Sequence, residues 1–331
     1  MELVAEIGQA HDGSLGILHS YIDNLSEIGI ETIKFQMHIA EAESSIFEPF
    51  RVNFSYEDSS RYDYWKRMEF TPNQWKEIKA HCEEKRIEFF CTPFSLQAID
   101  LLETLDVKRY KIGSADATNK LLLDKVASTE KDVILSTGMI SFEELDDVVE
   151  IFLKRNVDLT LMYCVSKYPS YMEDINFESM SDLKKRYGLK VGFSDHSGSI
   201  WPLITACSLG ADVGEFHVVY DKKMFGPDSL ASLTLSEISS LKEARDAISL
   251  FTQKNDKEEY EKHVNDLNAV FGRSLAINKD LKKDHILTLD DFESKKAGSE
   301  GVSSNDFSKF LGKKVKSDMK KWDLLKFDDI N

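Results

Sequence analysis

Apolar residues recur at two spacings along most of the chain, and the two spacings take turns. Every-second-position or short continuous apolar runs fall at 3–7, 32–38, 87–92, 109–113, 133–137, 159–164, 189–193 and 212–217. Between them, at 15–28, 72–85, 96–105, 121–128, 142–154, 180–187, 200–209 and 235–251, apolar positions repeat at three and four residues. The first spacing belongs to strands and the second to one face of a helix. Regular alternation of eight strands with eight helices over about 250 residues predicts a (β/α)8 (TIM) barrel, with a doubly wound open sheet as the alternative. The barrel is preferred on the count. The segment GQAHDGSLG (8–16) after the first strand also lacks the G-x-G-x-x-G spacing of a dinucleotide turn. A polar and aromatic insertion runs from the end of the second strand to about residue 70.

The pattern sets three segments. The barrel is expected over 1–252. Residues 253–270 are dense in charge and predict a linker, in part helical. Residues 271–331 show short strand candidates at 274–277, 286–289 and 313–315 among turns. They predict a small, mainly β domain with little core of its own.

Composition narrows the partners. The chain carries a formal net charge of −16, which argues against nucleic acid or an anionic membrane as a partner. Residues 271–331 hold 13 Lys and Arg against 11 Asp and Glu, a balance of +2, so 1–270 carries −18. An anionic ligand in such a body needs its own local cluster of donors. No apolar run approaches the roughly 20 residues that span a bilayer, and no basic flank of a signal peptide precedes the first strand. Cytoplasmic residence is the expectation. Cys82, Cys91, Cys164 and Cys207 show no paired spacing and are expected as reduced core thiols.

In a barrel, chemistry collects at the carboxyl ends of the strands. Those ends supply Glu6, then Lys34, Gln36 and His38 on one face, then Thr92, Lys111, Ser114, Ser136 and Thr137. Ser166, Tyr168, Ser194, His196 and His217 complete the rim. In a parallel βαβ unit the ends of the last two strands lie side by side, so His196 and His217 can meet and share a divalent metal. The same spacing is compatible with two unrelated polar residues that cap strands. Ser194 and Glu215 fall on the same faces as the histidines by strand alternation. Two lysines and several hydroxyls on one rim suit phosphate and carboxylate groups. Each alone is equally at home as a solvated lysine or a helix N-cap serine.

Eight motifs in order, EIGQAHDGS (6–14), KFQMH (34–38), CTPFS (91–95), YKIGS (110–114), STGM (136–139), CVSKYP (164–169), GFSDHS (192–197) and GPD (226–228), resemble the sialic acid synthase family. RSLAINKDLKKDHILTLDDFESKKAG (273–298) resembles that family's antifreeze-like, or SAF, domain. The resemblance implies a TIM barrel followed by this domain over 271–331, in a domain-swapped homodimer whose C-terminal domain covers the partner's active site. It implies condensation of phosphoenolpyruvate with an N-acetylhexosamine, N-acetylmannosamine or a relative. The products would be a nine-carbon 2-keto-3-deoxy sugar acid and phosphate.

By the same resemblance His196 and His217 hold the metal, usually manganese, with magnesium or cobalt as alternatives. Lys34, Thr92, Lys111, Ser114, Ser136 and Ser194 hold the phosphate and carboxylate, and Ser166, where members have Asn or Ser, is a further substrate-binding position. Glu6, Gln36, Tyr168 and Asp228 face the sugar and the reacting carbons. The chain departs from the family at Ala10, where many members have Asn, and at Asp116, where a catalytic-site Glu is common. It departs again at Phe216, and at Lys296, which replaces an Arg that meets the sugar amide. A class I aldolase using Lys34 or Lys111 as a Schiff base, and a sugar-binding barrel without turnover, are the alternative functions.

Overall fold

The computed structural model describes all residues but 53, 253–256 and 299. It divides into two units, Met1–Phe251 and Thr252–Asn331. The first begins with β1 (Glu2–Glu6), α1 (Leu15–Ile28) and β2 (Thr32–Met37), followed by α2 (Ala40–Glu43) and α3 (Arg61–Met68) inside the insertion. It continues with α4 (Pro72–Glu84), β3 (Glu88–Pro93), α5 (Leu96–Thr104), β4 (Arg109–Ile112), α6 (Lys120–Ala127) and β5 (Asp132–Ser136). Next come α7 (Phe142–Leu153), β6 (Leu159–Cys164), α8 (Glu178–Tyr187), β7 (Lys190–Asp195), α9 (Trp201–Ser208) and β8 (Val213–Val219). A two-residue β9 (Leu233–Thr234) and α10 (Leu235–Phe251) end the unit. β1 to β8 pair in sequence order, all parallel, and β1 pairs back onto β8, which closes the barrel.

The barrel interior is built in layers by the strand period of two. Val4, Phe90, Ile134, Met162 and Val213 form an apolar layer of their own. Two residues further along the same strands stand Glu6, Thr92, Ser136, Cys164 and Glu215, all buried. One layer of hydrocarbon therefore supports one layer of polar side chains. The outward residues of the strands, such as Ala5, Ile33, Phe35, Tyr110, Leu135, Leu161 and Phe216, pack against the helices in the main core.

The amino end of the barrel is tied by Arg109 of β4. It donates to Glu88 of β3 at 2.8 Å and to Glu2 of β1 at 3.0 Å, and its guanidinium lies 4.8 Å from the centre of the Phe90 ring. Thr32 of β2 donates to the same Glu2 at 2.8 Å. Helix starts are set by side-chain caps that satisfy otherwise orphaned N–H groups. Ser95 of the CTPFS motif accepts from Ala98, and Ser141 with Glu144 forms a capping box on α7.

In the second unit, α11 (Lys257–Phe271) precedes β10 (Ser274–Ile277) and β11 (Phe292–Lys295), which pair antiparallel. Leu275, Ile277, Leu281, Leu287, Phe310, Val315, Met319 and Leu325 make a core, more than the sequence pattern predicts.

Several expectations need correction. The segment 253–270, expected as a partly helical linker, is helical from Lys257 on as α11, and residues 253–256 lie outside the described residues. The predicted strand at 286–289 is a single bridge from Ile286 to Lys314, and 313–315 contributes only isolated bridges. β11 was not predicted. No described helix is long and apolar enough to cross a membrane.

Candidate active site

The rim at the carboxyl ends of the strands encloses one cleft with an inner and an outer compartment. Lys34, Gln36, Thr92, Lys111, Ser114, Ser136, Ser166, Tyr168, Ser194, His196 and His217 all line the inner compartment, with Glu215 at its floor. Asp116 and Asp228 line the outer one, which shares Gln36, Arg51, Phe94, Ala115, Tyr168 and His217 with the inner. Glu6 is fully buried beneath the rim. Lys296 lies in the second unit, exposed, immediately after β11.

Glu215 is the hub of the inner floor. Its carboxylate accepts from Lys111 at 3.1 Å and from Ser194 at 3.2 Å, and Lys34 stands 3.6 Å away. Lys34 also pairs with Glu6 and reaches Thr92 at 3.4 Å. Burial pushes the Glu215 carboxyl up, but Lys111 and Lys34 outweigh it and hold the group below its ordinary range. Lys34 is lowered by burial and raised more by Glu215 and Glu6, so its ammonium is favoured. Lys111 goes the other way, because burial and the nearby Lys34 outweigh its single carboxylate partner. An arriving anion would restore that lysine's charge. The second oxygen of Glu215 and Oε1 of Glu6 are buried without a hydrogen-bond partner. Such acceptors are costly to leave unmet and are natural receivers of a substrate hydroxyl or a proton.

His196 and His217 come together as the βαβ argument predicts, with ring centroids 5.6 Å apart. Nδ1 of His196 meets the Val165 carbonyl at 2.9 Å. That contact fixes Nδ1 as the protonated nitrogen and leaves Nε2 as a lone-pair donor, the arrangement of a metal-bound imidazole. Burial, then His217, pushes the His196 pKa down to about 3, so the ring is neutral. Glu6 Oε1 and His217 Nδ1 lie 3.1 and 3.3 Å from where a Gly8 Cβ would stand, at a φ of 51°. Gly8 keeps that corner open. Among the described residues no cluster of three or more His, Cys, Asp or Glu is placed to hold a metal. A cation here fits the two imidazoles alone and needs substrate or water for its remaining positions.

Hydroxyls fill the rest of the inner wall. Ser114 accepts from the Gly138 N–H at 3.2 Å and lies 3.1 Å from Cys164 Sγ. Cys164, expected as a core thiol, faces the cleft instead. A Cβ on Gly138 would stand 2.5 Å from Ser166 Oγ, so only glycine lets that backbone approach.

The insertion supplies the outer wall. Trp65 of α3 and Phe94 sandwich His38, with centroids 3.9 and 4.6 Å away. His38 meets Glu43 at 2.7 Å and Gln36 at 3.2 Å. Arg51 lies 4.3 Å from the centre of the Tyr168 ring and donates to Asp228 at 2.5 Å. Asp116 is raised by burial, offset in part by Asn119 and reinforced by Glu43. Strand alternation places Glu215 on the face of the histidines, but nothing in its local sequence marks it as the partner of both lysines. Arg51, Glu43 and Trp65 carry no periodic signal in an irregular insertion.

The chain matches the NeuB family over residues 21–257. It is 31% identical to the N,N'-diacetyllegionaminic acid synthase of Campylobacter jejuni, covering 98% of both chains. It is 30% identical to the pseudaminic acid synthase of Helicobacter pylori, covering 99% of this chain and 97% of that one. The crystal structure of a sialic acid synthetase from Leptospira borgpetersenii, in complex with citrate, superposes with a TM-score of 0.70 at 29% identity, covering 79% of this chain and 90% of the other. The chain belongs to the NeuB family.

Proposed function

We propose that the protein is a nonulosonic acid synthase. It joins phosphoenolpyruvate to the open-chain form of an N-acetylated hexosamine, giving a nine-carbon 2-keto-3-deoxy sugar acid and phosphate. One observation carries the reading. Two imidazoles, two lysines sharing one carboxylate, and five serine and threonine hydroxyls converge on a single rim, in a chain whose relatives make acids of this class.

C3 of the enol phosphate bonds to the aldehyde carbon, whose oxygen takes a proton. Water adds at C2, and the C2–O bond breaks so that phosphate leaves with the electron pair. Lys34, Lys111, Thr92, Ser114, Ser136, Ser166 and Ser194 hold the carboxylate and phosphate, in a buried setting where such bonds are strong. Glu6 offers its unpartnered oxygen as proton acceptor or to an acceptor hydroxyl. Gln36, Tyr168, Asp116 and Asp228 orient the sugar. His196 and His217 would hold a divalent cation, manganese first with magnesium or cobalt as alternatives, which would supply Lewis-acid polarisation of the aldehyde.

The test is phosphate release from phosphoenolpyruvate labelled with ¹⁸O in the C2–O bridge. The label should appear in phosphate only when sugar and metal are both present. Absence of release with every N-acetylated hexosamine would sink the reading. The lowered Lys111 amine favours one rival, a class I aldolase. Borohydride with pyruvate would trap an adduct in that case, and the synthase forms none.

Residues 271–331 are taken as an antifreeze-like domain acting in a domain-swapped homodimer, where Lys296 meets the acceptor's amide across the partner's cleft. A monomer by light scattering at assay concentration would refute this assembly.

A further inference from the structure

The outer compartment is where the far end of an acceptor must lie if its aldehyde sits at His217, one of the residues shared with the inner compartment. This inference rests on the synthase reading. The two compartments differ in kind. The inner wall offers lysines and hydroxyls, whereas the outer wall contains no Lys, Ser or Thr among the described residues. It presents four carboxylates, Glu43, Glu48, Asp116 and Asp228, against two guanidiniums, Arg51 and Arg61.

Every cation there already has an anion. Arg51 is held by Asp228 at 2.5 Å. Arg61 lies over the Trp65 ring at 4.1 Å with Glu48 at 3.5 Å. His38 is held by Glu43 at 2.7 Å. Asp116 remains without a cation, and burial raises its pKa. Four carboxylates against two guanidiniums leave the compartment a formal balance of −2. A phosphate on the acceptor would have to compete for guanidiniums already paired, beside carboxylates that repel it. Hydroxyl and amide N–H groups would instead satisfy Asp116, and the apolar faces of Trp65, Phe94 and Tyr168 suit a sugar ring.

We propose that the acceptor is an uncharged N-acylated amino sugar, and that the outer compartment rejects sugars phosphorylated at the end remote from the aldehyde. The rejection is electrostatic, so it is screened by salt.

The experiment uses the full chain with phosphoenolpyruvate and manganese, and reads phosphate release with N-acetylmannosamine, with a 2,4-diacetamido hexose, and with N-acetylmannosamine 6-phosphate. Each is run at low and high potassium chloride. At low salt, kcat/KM for the phosphorylated sugar should fall on the order of 10-fold or more below the better neutral sugar. High salt should narrow the gap, and Glu48→Gln, which frees Arg61, should narrow it at low salt. Equal or better turnover of the phosphorylated sugar would overturn the inference and leave the synthase reading intact. A gap that ignores salt would overturn its electrostatic basis. No release with any of the three sugars would bring down the synthase reading, and this inference with it.

Discussion

Glu215 shows how much can hang on one side chain. It sits within hydrogen-bonding or ion-pairing range of Lys34, Lys111 and Ser194, from three other strands. Glu215→Gln removes the charge that both lysines share but keeps the shape. Breaking one partner of a buried pair costs about 3–5 kcal/mol, so the variant should melt well below the parent by calorimetry and bind phosphoenolpyruvate more weakly. An unchanged melting temperature would mean the lysines are neutralised some other way. His11 gives a pH prediction. It is buried against Phe70, accepts from the Gly13 N–H at 3.0 Å, and burial, then His38 and Arg67, push its pKa down to about 3. Its unfolded value is about 6.5, so the unfolded chain takes up the proton first. Stability from this group is therefore present above pH 6.5 and drains as pH falls towards 3, by at most about 1.4 kcal/mol per unit. His11→Gln keeps an acceptor for Gly13 and should flatten that slope in acid titrations followed by circular dichroism. Neither role could be read from neighbours in the chain. Glu215 and Lys111 are 104 residues apart, and only closure of the barrel makes them partners.

Among elements, the barrel strands were legible because apolar residues recur at every second position on their outer faces, as Val133 and Leu135 do on β5 and Val191 and Phe193 on β7. The insertion hid its helices for the opposite reason. α3 (RYDYWKRM) buries only Tyr64, Trp65 and Met68, too few positions to establish a period. α11 (KEEYEKHVNDLNAVF) has no buried residue at all, so its charges predict a linker that is helical only in part. At 286–289 alternation held, but the pairing strand was a single bridge, since a short irregular unit meets its backbone groups through turns rather than ladders. Where strands do converge, single residues tie them. Arg109 joins β4 to β1 and β3 from a largely buried position. Arg109→Met should cost about 2 kcal/mol, from charged hydrogen bonds lost and two glutamates left unmatched. Because the tie lies at the amino end, denaturant midpoint should fall while kcat stays close to the parent's. Gly8 makes the opposite case at the catalytic end. Gly8→Ala crowds Glu6 and His217, and should lower kcat on the order of 10–100-fold with the far-ultraviolet spectrum unchanged.

The whole molecule poses an electrostatic problem that its site must solve. A body of net charge −16 has to admit a substrate bearing both a phosphate and a carboxylate. The inner compartment does not solve it with side chains alone. Lys34 and Lys111 are matched by Glu6 and Glu215, so their formal sum is zero and Lys111 is even pushed towards neutrality. The hydroxyls orient an anion but bring no net charge. His196, neutral and with its Nε2 left free, stands beside His217, a place where positive charge can be added without disturbing the lysine cluster. A divalent cation there would turn a balanced floor into an attractive one. Chelation with EDTA should therefore do more than stop turnover. It should weaken phosphoenolpyruvate binding itself, by on the order of 10-fold or more in calorimetry, and manganese should restore it. Magnesium or cobalt should restore it in part. His217→Ala should reproduce the chelated state, with weak binding, no phosphate release and an intact fold. Tight phosphoenolpyruvate binding that persists in EDTA would show that the lysines and hydroxyls suffice, and that the two imidazoles serve some other end.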